Sequence, residues 1–196
     1  MPLNPEAFTP DVADEAIADL RRRLAATRFP DQAEGPPWAY GADLAYMRDL
    51  VDYWRDEFDW LAAEARLGAF PNYRVDLVGI SLHFLHVPGV GPNPRPLLLS
   101  HGWPGSVFEF LDLIPRLTDP ARFGGDAADA FTVVAPSLPG FGLSFAPGQP
   151  RFGAEAIADC FAALMRDCWA MPGSARRGAS GAPSCRHASA TLIPSG

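Results

Sequence analysis

Four consecutive residues, His101, Gly102, Trp103 and Pro104, have the types and setting to do chemistry. They sit in P-L-L-L-S-H-G-W-P-G-S, Pro96 to Ser106. The apolar run Leu97-Leu98-Leu99 is too short for a helix and has turn residues on both sides, so it reads as a buried strand. A helical pattern begins at Ser106. Strand, Gly/Pro turn and capped helix together leave backbone N–H groups pointing into a cleft, where they can meet a polar or charged group. Gly102 allows a bent backbone and Pro104 fixes it. The competing reading is an ordinary strand-to-helix turn in which His101 satisfies a local hydrogen bond.

The elements around this turn follow from periodicity. Thr9-Pro10-Asp11 is a helix-start signal, and Val12, Ile17, Leu20 and Leu24 recur at helical spacing until Arg28-Phe29-Pro30. After a Gly/Pro loop at Glu34 to Trp38, one helical region is expected from about Ala42 to Leu67. Its apolar positions are Leu44, Met47, Leu50, Val51, Trp54, Phe58 and Leu61. Two helices cannot bury that much apolar surface between themselves, so this face should dock on something larger. From Phe70 the period becomes two, and Tyr73 to Val78 and Ile80 to Val87 read as a hairpin turning at Gly79. His83 and His86 fall on opposite faces of their strand, so they form no metal pair.

A Pro/Gly-rich linker, Pro88 to Pro96, leads into the strand before the turn. The helix from Ser106 through Leu117, the strand Phe131 to Pro136 and a helix from Gly153 to Asp167 follow. Strand, helix, strand, helix after a hairpin is the opening of a mostly parallel sheet with an antiparallel edge.

Composition narrows the function. The chain has 196 residues, 48% of them hydrophobic, and a net charge of −7. All of its basic residues are Arg, and none forms a basic stripe, which argues against a nucleic-acid partner. No signal peptide and no membrane span is expected. Cys160, Cys168 and Cys185 lack metal-ligand spacing and fit reduced thiols of a cytoplasmic protein.

S-H-G-W-P-G-S, then A-P-S-L-P-G-F-G-L-S after the next strand, together with the aromatic-rich arm and F-P-N-Y-R-V-D-L-V-G-I-S-L-H-F-L-H, resemble the microsomal-type epoxide hydrolase family over residues 8 to 167. The resemblance implies an α/β fold: an N-terminal helical arm followed by the first strands and helices of an α/β-hydrolase sheet. It divides the chain into an N-terminal region at 1–88, a partial hydrolase domain at 89–167 and a disordered tail at 168–196. It implies a small-molecule epoxide as substrate, opened by an Asp nucleophile while two Tyr hydroxyls hold the departing oxygen. A His oriented by an Asp or Glu then activates the water that cleaves the alkyl-enzyme ester. No metal or organic cofactor is implied. His101, Gly102, Trp103 and Pro104 match the family's oxyanion element, with the Trp103 N–H as one donor and its indole lining the substrate pocket.

The sequence departs from the family after Asp167. The pattern there should approach L-G-Y-x-R-Y/F-G-x-Q-G-G-D-W-G, but residues 168 onward hold no Asp or Glu at all. Re-reading Trp169 to Ala179 one base out of frame can encode Leu-Gly-Tyr-Ala-Arg-Phe-Gly-Ala-Gln-Gly-Gly, so a one-base frameshift near codon 168 is expected. Ser180 re-read this way gives no Asp. As written, the chain lacks the nucleophile, the tyrosine pair and the catalytic His, no catalytic residue is assigned, and Asp167 at a helix end is no substitute. The alternatives are a Ser-type α/β-hydrolase (esterase or peptidase) and a non-catalytic binding fragment. The first needs a Gly-x-Ser-x-Gly elbow, which Gly142 to Ala146 and Gly178 to Ala182 do not supply. A sheet cut after two βα units also has a raw edge, through which the fragment could self-associate.

Overall fold

A computed structural model of the chain describes residues 4–168. The reading of residues 169–196 as an out-of-frame tail lies outside the described residues. The chain divides into two compact units, residues 10–66 on one hand and residues 1–9 with 67–196 on the other. The hairpin therefore belongs to the unit that holds the sheet, whereas the sequence reading groups it with the arm.

The first unit is helical. Helix α1 spans Asp14–Ala25, with Asp14 and Glu15 in its first turn and Arg22 and Arg23 in its last, a charge order that suits the helix dipole. The expected start at Thr9-Pro10-Asp11 moves to Ala13, which caps through backbone alone. The single long helix expected from 42 to 67 is two helices, α2 at Leu44–Asp56 and α3 at Trp60–Gly68. Each start has an acidic cap. The Asp43 carboxylate accepts from the Tyr46 N–H at 3.1 Å, and that of Asp59 accepts from the Ala62 N–H at 2.9 Å. An Asp side chain competes for helical N–H groups, so Asp59 restarts the helix instead of continuing it. No residue of α2 is buried, and Leu50 and Trp54 on its apolar stripe are exposed.

The second unit is a five-stranded sheet, β1 Glu6–Ala7, β2 Asn72–Leu77, β3 Ile80–Val87, β4 Arg95–Leu98 and β5 Phe131–Pro136, in the order β1-β2-β3-β5-β4. Only β4 and β5 are parallel, with Leu97 opposite Val133; the pairs from β1 to β5 are antiparallel. The hairpin turn is Val78-Gly79, both with positive φ (49° and 82°), as a two-residue turn between right-twisted strands requires. Strand β1 was not foreseen: two paired residues between prolines leave no period to read.

The sheet is buried on both faces. On one, Val75, Leu82, Phe84 and Val134 pack with Cys160, Phe161 and Leu164 of α5 (Ala154–Cys168). On the other, Leu85, Val133 and Ala135 pack with Val107, Leu111 and Ile114. The continuous helix expected from Ser106 to Leu117 is a 3-10 turn at Val107–Phe110 and a short α4 at Ile114–Thr118. Pro115 is the cause. It has no N–H to continue a helix from Leu111, and it stands instead in the first turn of α4.

Candidate oxyanion turn

The turn is built at the end of β4. The Leu99 N–H donates to the Val134 carbonyl at 2.9 Å, the last ladder bond before the chain leaves the sheet. His101 is buried, Gly102 and Trp103 are exposed, and the Trp103–Pro104 peptide bond is cis. Beyond Pro104, a capping box closes the turn. The Ser106 N–H donates to Glu109 Oε1 at 3.0 Å, and Ser106 Oγ accepts from the Phe108 N–H at 3.3 Å. Gly105 makes this possible, because a Cβ there would collide with the Glu109 carboxylate. Gly102 does not adopt a left-handed backbone, and a Cβ on it would meet nothing.

His101 does more than satisfy a local bond. Its Nδ1 lies 3.1 Å from the Gly102 carbonyl, and its Nε2 accepts the Leu138 N–H at 3.0 Å. An amide N–H can only donate and a carbonyl can only accept, so the ring carries its proton on Nδ1. The imidazole thus fastens the turn after β4 to the loop after β5. The local bond to Gly102 expected in the competing reading is present, and the bond to Leu138 goes beyond it.

The Trp103 N–H donates to no acceptor among the described residues. Its indole is 77% exposed, so the side chain stands clear of the core. An N–H held on a fixed turn, with no partner of its own, is a donor available to an oxygen that gains charge.

The loop after β5 has its own anchor, which the sequence reading missed. His83, on β3, is fully buried. Its ring nitrogens lie 2.9 Å from Ser137 Oγ and 2.9 Å from Asn72 Oδ1. Ser144 Oγ accepts the His83 N–H and donates to the Ser137 carbonyl, both at 3.0 Å. Burial, reinforced by the charge of Arg74, pushes the His83 pKa down to about 4. The signal available beforehand was a histidine on a strand buried on both faces, with two serines at the ends of the S-L-P-G-F-G-L-S motif. Ser144 is fully engaged and almost completely buried, so it is no nucleophile.

Among the described residues, no three His, Cys, Asp or Glu side chains cluster to hold a metal ion. A shallow cleft in the helical unit is lined by Leu24, Phe29, Arg48 and Arg55 among others. Its most polar group, Arg55, is already paired with Asp52 at 3.0 Å and Asp56 at 2.5 Å.

Known proteins share these features. The family model described as "Epoxide hydrolase N terminus" matches residues 5–110, and that of the alpha/beta hydrolase fold matches residues 95–168. A relative from Stigmatella aurantiaca named as an epoxide hydrolase is 52% identical over 155 residues, covering 79% of this chain and 35% of the relative. Epoxide hydrolase 1 of Oryctolagus cuniculus is 39% identical over 162 residues, 81% of this chain and 36% of that protein. Among solved structures, the juvenile hormone epoxide hydrolase of the silkworm Bombyx mori matches with a TM-score of 0.71 at 31% identity, covering 85% of this chain and 44% of that one. The chain thus spans about a third of the length of the curated relatives it matches. With more than half of its residues matched by the N-terminal family model, and β4, β5 and α5 by the hydrolase model, this chain belongs to the epoxide hydrolase family.

Proposed function

We propose that the His101–Pro104 turn is one half of the oxyanion hole of an enzyme that opens small-molecule epoxides to vicinal diols through an alkyl-enzyme ester. The observation that supports this reading is the Trp103 N–H, which has no partner among the described residues and stands on a turn held by His101 and the Ser106 capping box. Hydrolysis of the ester develops negative charge on its carbonyl oxygen, and a preorganised amide lowers that barrier. The exposed indole of Trp103 borders the substrate pocket. The chain in its present frame carries the oxyanion element but no nucleophile, and turns nothing over. Residues 1–88 form the N-terminal region and 89–167 the opening of the catalytic domain.

The finer attributes follow the same reading. The protein is cytoplasmic; no helix among the described residues is long and apolar enough to cross a membrane. Left uncovered, the β4 edge of the sheet pairs with a second copy.

The test compares the chain as written with a frame-restored version that also carries Asp at position 180 and the remaining part of the Stigmatella aurantiaca relative, both assayed for diol formation from styrene oxide. The chain as written is expected to give none and the restored one to turn over. Replacing the Trp103 amide by an ester in the restored protein should then cost on the order of 100-fold or more in rate. An undiminished rate would remove the turn from the mechanism. Diol formation by the chain as written would overturn the inactive reading.

A further inference from the structure

The two histidines described above are bonded in ways that fix both of their tautomers. Asn72 Nδ2 donates to the carbonyls of Leu67 and Phe70, at 3.0 and 2.7 Å. Turning that amide over would set its oxygen against two carbonyls, so Oδ1 is the atom that faces His83 Nε2 at 2.9 Å. An amide oxygen only accepts, and Nε2 must therefore carry the proton. Nδ1 is left with its lone pair, and the Ser137 hydroxyl donates to it. His101 has the opposite arrangement, with its proton on Nδ1 and its Nε2 accepting from Leu138. Ser137 and Leu138 are adjacent residues, so the two rings hold the same loop at consecutive positions.

We propose that His83 is a positioning residue for the oxyanion turn. It is held by Asn72 and holds Ser137, which sets the Leu138 N–H against the His101 ring and so fixes the direction of the Trp103 N–H. The relay runs from the hairpin to the turn through four directional contacts, all of them on ring nitrogens, and the two rings have opposite proton placement. Its catalytic consequence rests on the oxyanion reading above, but the hydrogen bonds and the tautomers do not. A neutral His83 is what the relay requires, and burial keeps the ring neutral at pH 7.

The experiment labels the histidine rings of the 196-residue chain with 15N and reads two-bond ring correlations by NMR. His83 is expected to show its proton on Nε2 and His101 on Nδ1. Ser137→Ala then removes only the hydroxyl donor. His101, which that hydroxyl does not touch, is expected to become a mixture of tautomers, and the Leu138 amide to exchange roughly tenfold faster, as befits one weakened hydrogen bond. Ser137→Thr keeps a hydroxyl and should restore both signatures. His83→Gln, with its different ring-side chemistry, is the second variant. If His101 keeps a single tautomer and Leu138 keeps its protection in both Ser137→Ala and His83→Gln, His83 is core packing and the proposal is wrong. If the signatures move as expected while Ser137→Ala leaves turnover by the frame-restored protein unchanged, the relay stands and the oxyanion reading fails.

Discussion

The helical unit and the sheet unit of this chain are held together by different physics. Across residues 10–66, Leu24 alone is buried, and the ion pairs Asp19–Arg22, Asp19–Arg23, Asp52–Arg55 and Arg55–Asp56 all belong to this unit. Its helices stand on caps, charge order and exposed pairs, each worth a fraction of a kcal/mol to about 1 kcal/mol. The sheet unit buries Leu82, Phe84, Leu85, Val133 and Leu164 almost completely and places a satisfied polar network beside them. A turn that must keep its geometry against solvent and thermal motion needs long-range packing, and the His101–Pro104 turn lies in the second of these regions.

The contrast can be broken in five ways. Leu85→Ala, deep on one face of β3, should cost about 2–5 kcal/mol in urea denaturation, whereas Leu50→Ala on the open stripe of α2 should stay within about 0.5 kcal/mol. Comparable losses would mean that the arm is packed as tightly as the sheet.

Acid acts next. The folded pKa of His83, about 4, lies below its unfolded value, so the neutral ring's contribution is complete above about pH 6.5 and is lost as the pH falls toward 4. At about 1.4 kcal/mol per unit the loss is of the order of 3 kcal/mol. Burial lowers His86 in the same direction and adds to it. The arm holds no histidine. Urea titrations at pH 7 and pH 4.5 measure the loss, and His83→Asn should flatten much of it.

Smaller effects test the local devices. Asp43→Ala removes the cap of α2 and should cost about 1 kcal/mol, seen as lost helical circular dichroism and faster exchange at the Tyr46 amide. Within the sheet unit, Val78 holds φ at 49°, a region that a β-branched side chain resists. Val78→Asn should stabilise the hairpin by about 1 kcal/mol, and an unchanged urea midpoint would show that the turn is not strained. Smallest of all, Asp19→Asn removes two exposed ion pairs and should change stability by less than about 0.5 kcal/mol, with salt abolishing even that.

The hairpin, β4, β5 and α5 were legible because each carries one clear period and is bounded by Gly or Pro. The breaks in the helices were not read, although their causes stand in the sequence. Asp59 and Pro115 are local signals, but the apolar period runs straight across both, and period was weighed above punctuation. At the site, H-G-W-P marked the turn. It did not reveal that His101 would reach Leu138, or that His83 would be the anchor of the same loop, because those partners lie 37 and 54 residues away in the chain.

The sequence by itself determined most of the elements, the alternation of strands and helices, and the place of the turn between β4 and the 3-10 turn that follows. Periodicity, caps and turn residues act over a few positions, and their energies depend little on what lies far along the chain. Only the tertiary structure decided that β5 enters the sheet between β3 and β4, that Ser144 is a structural hydroxyl, and which nitrogen of each histidine carries the proton. Those outcomes depend on which polar groups are brought together in a space without water, where every donor must meet an acceptor, and no local pattern in the chain encodes that meeting.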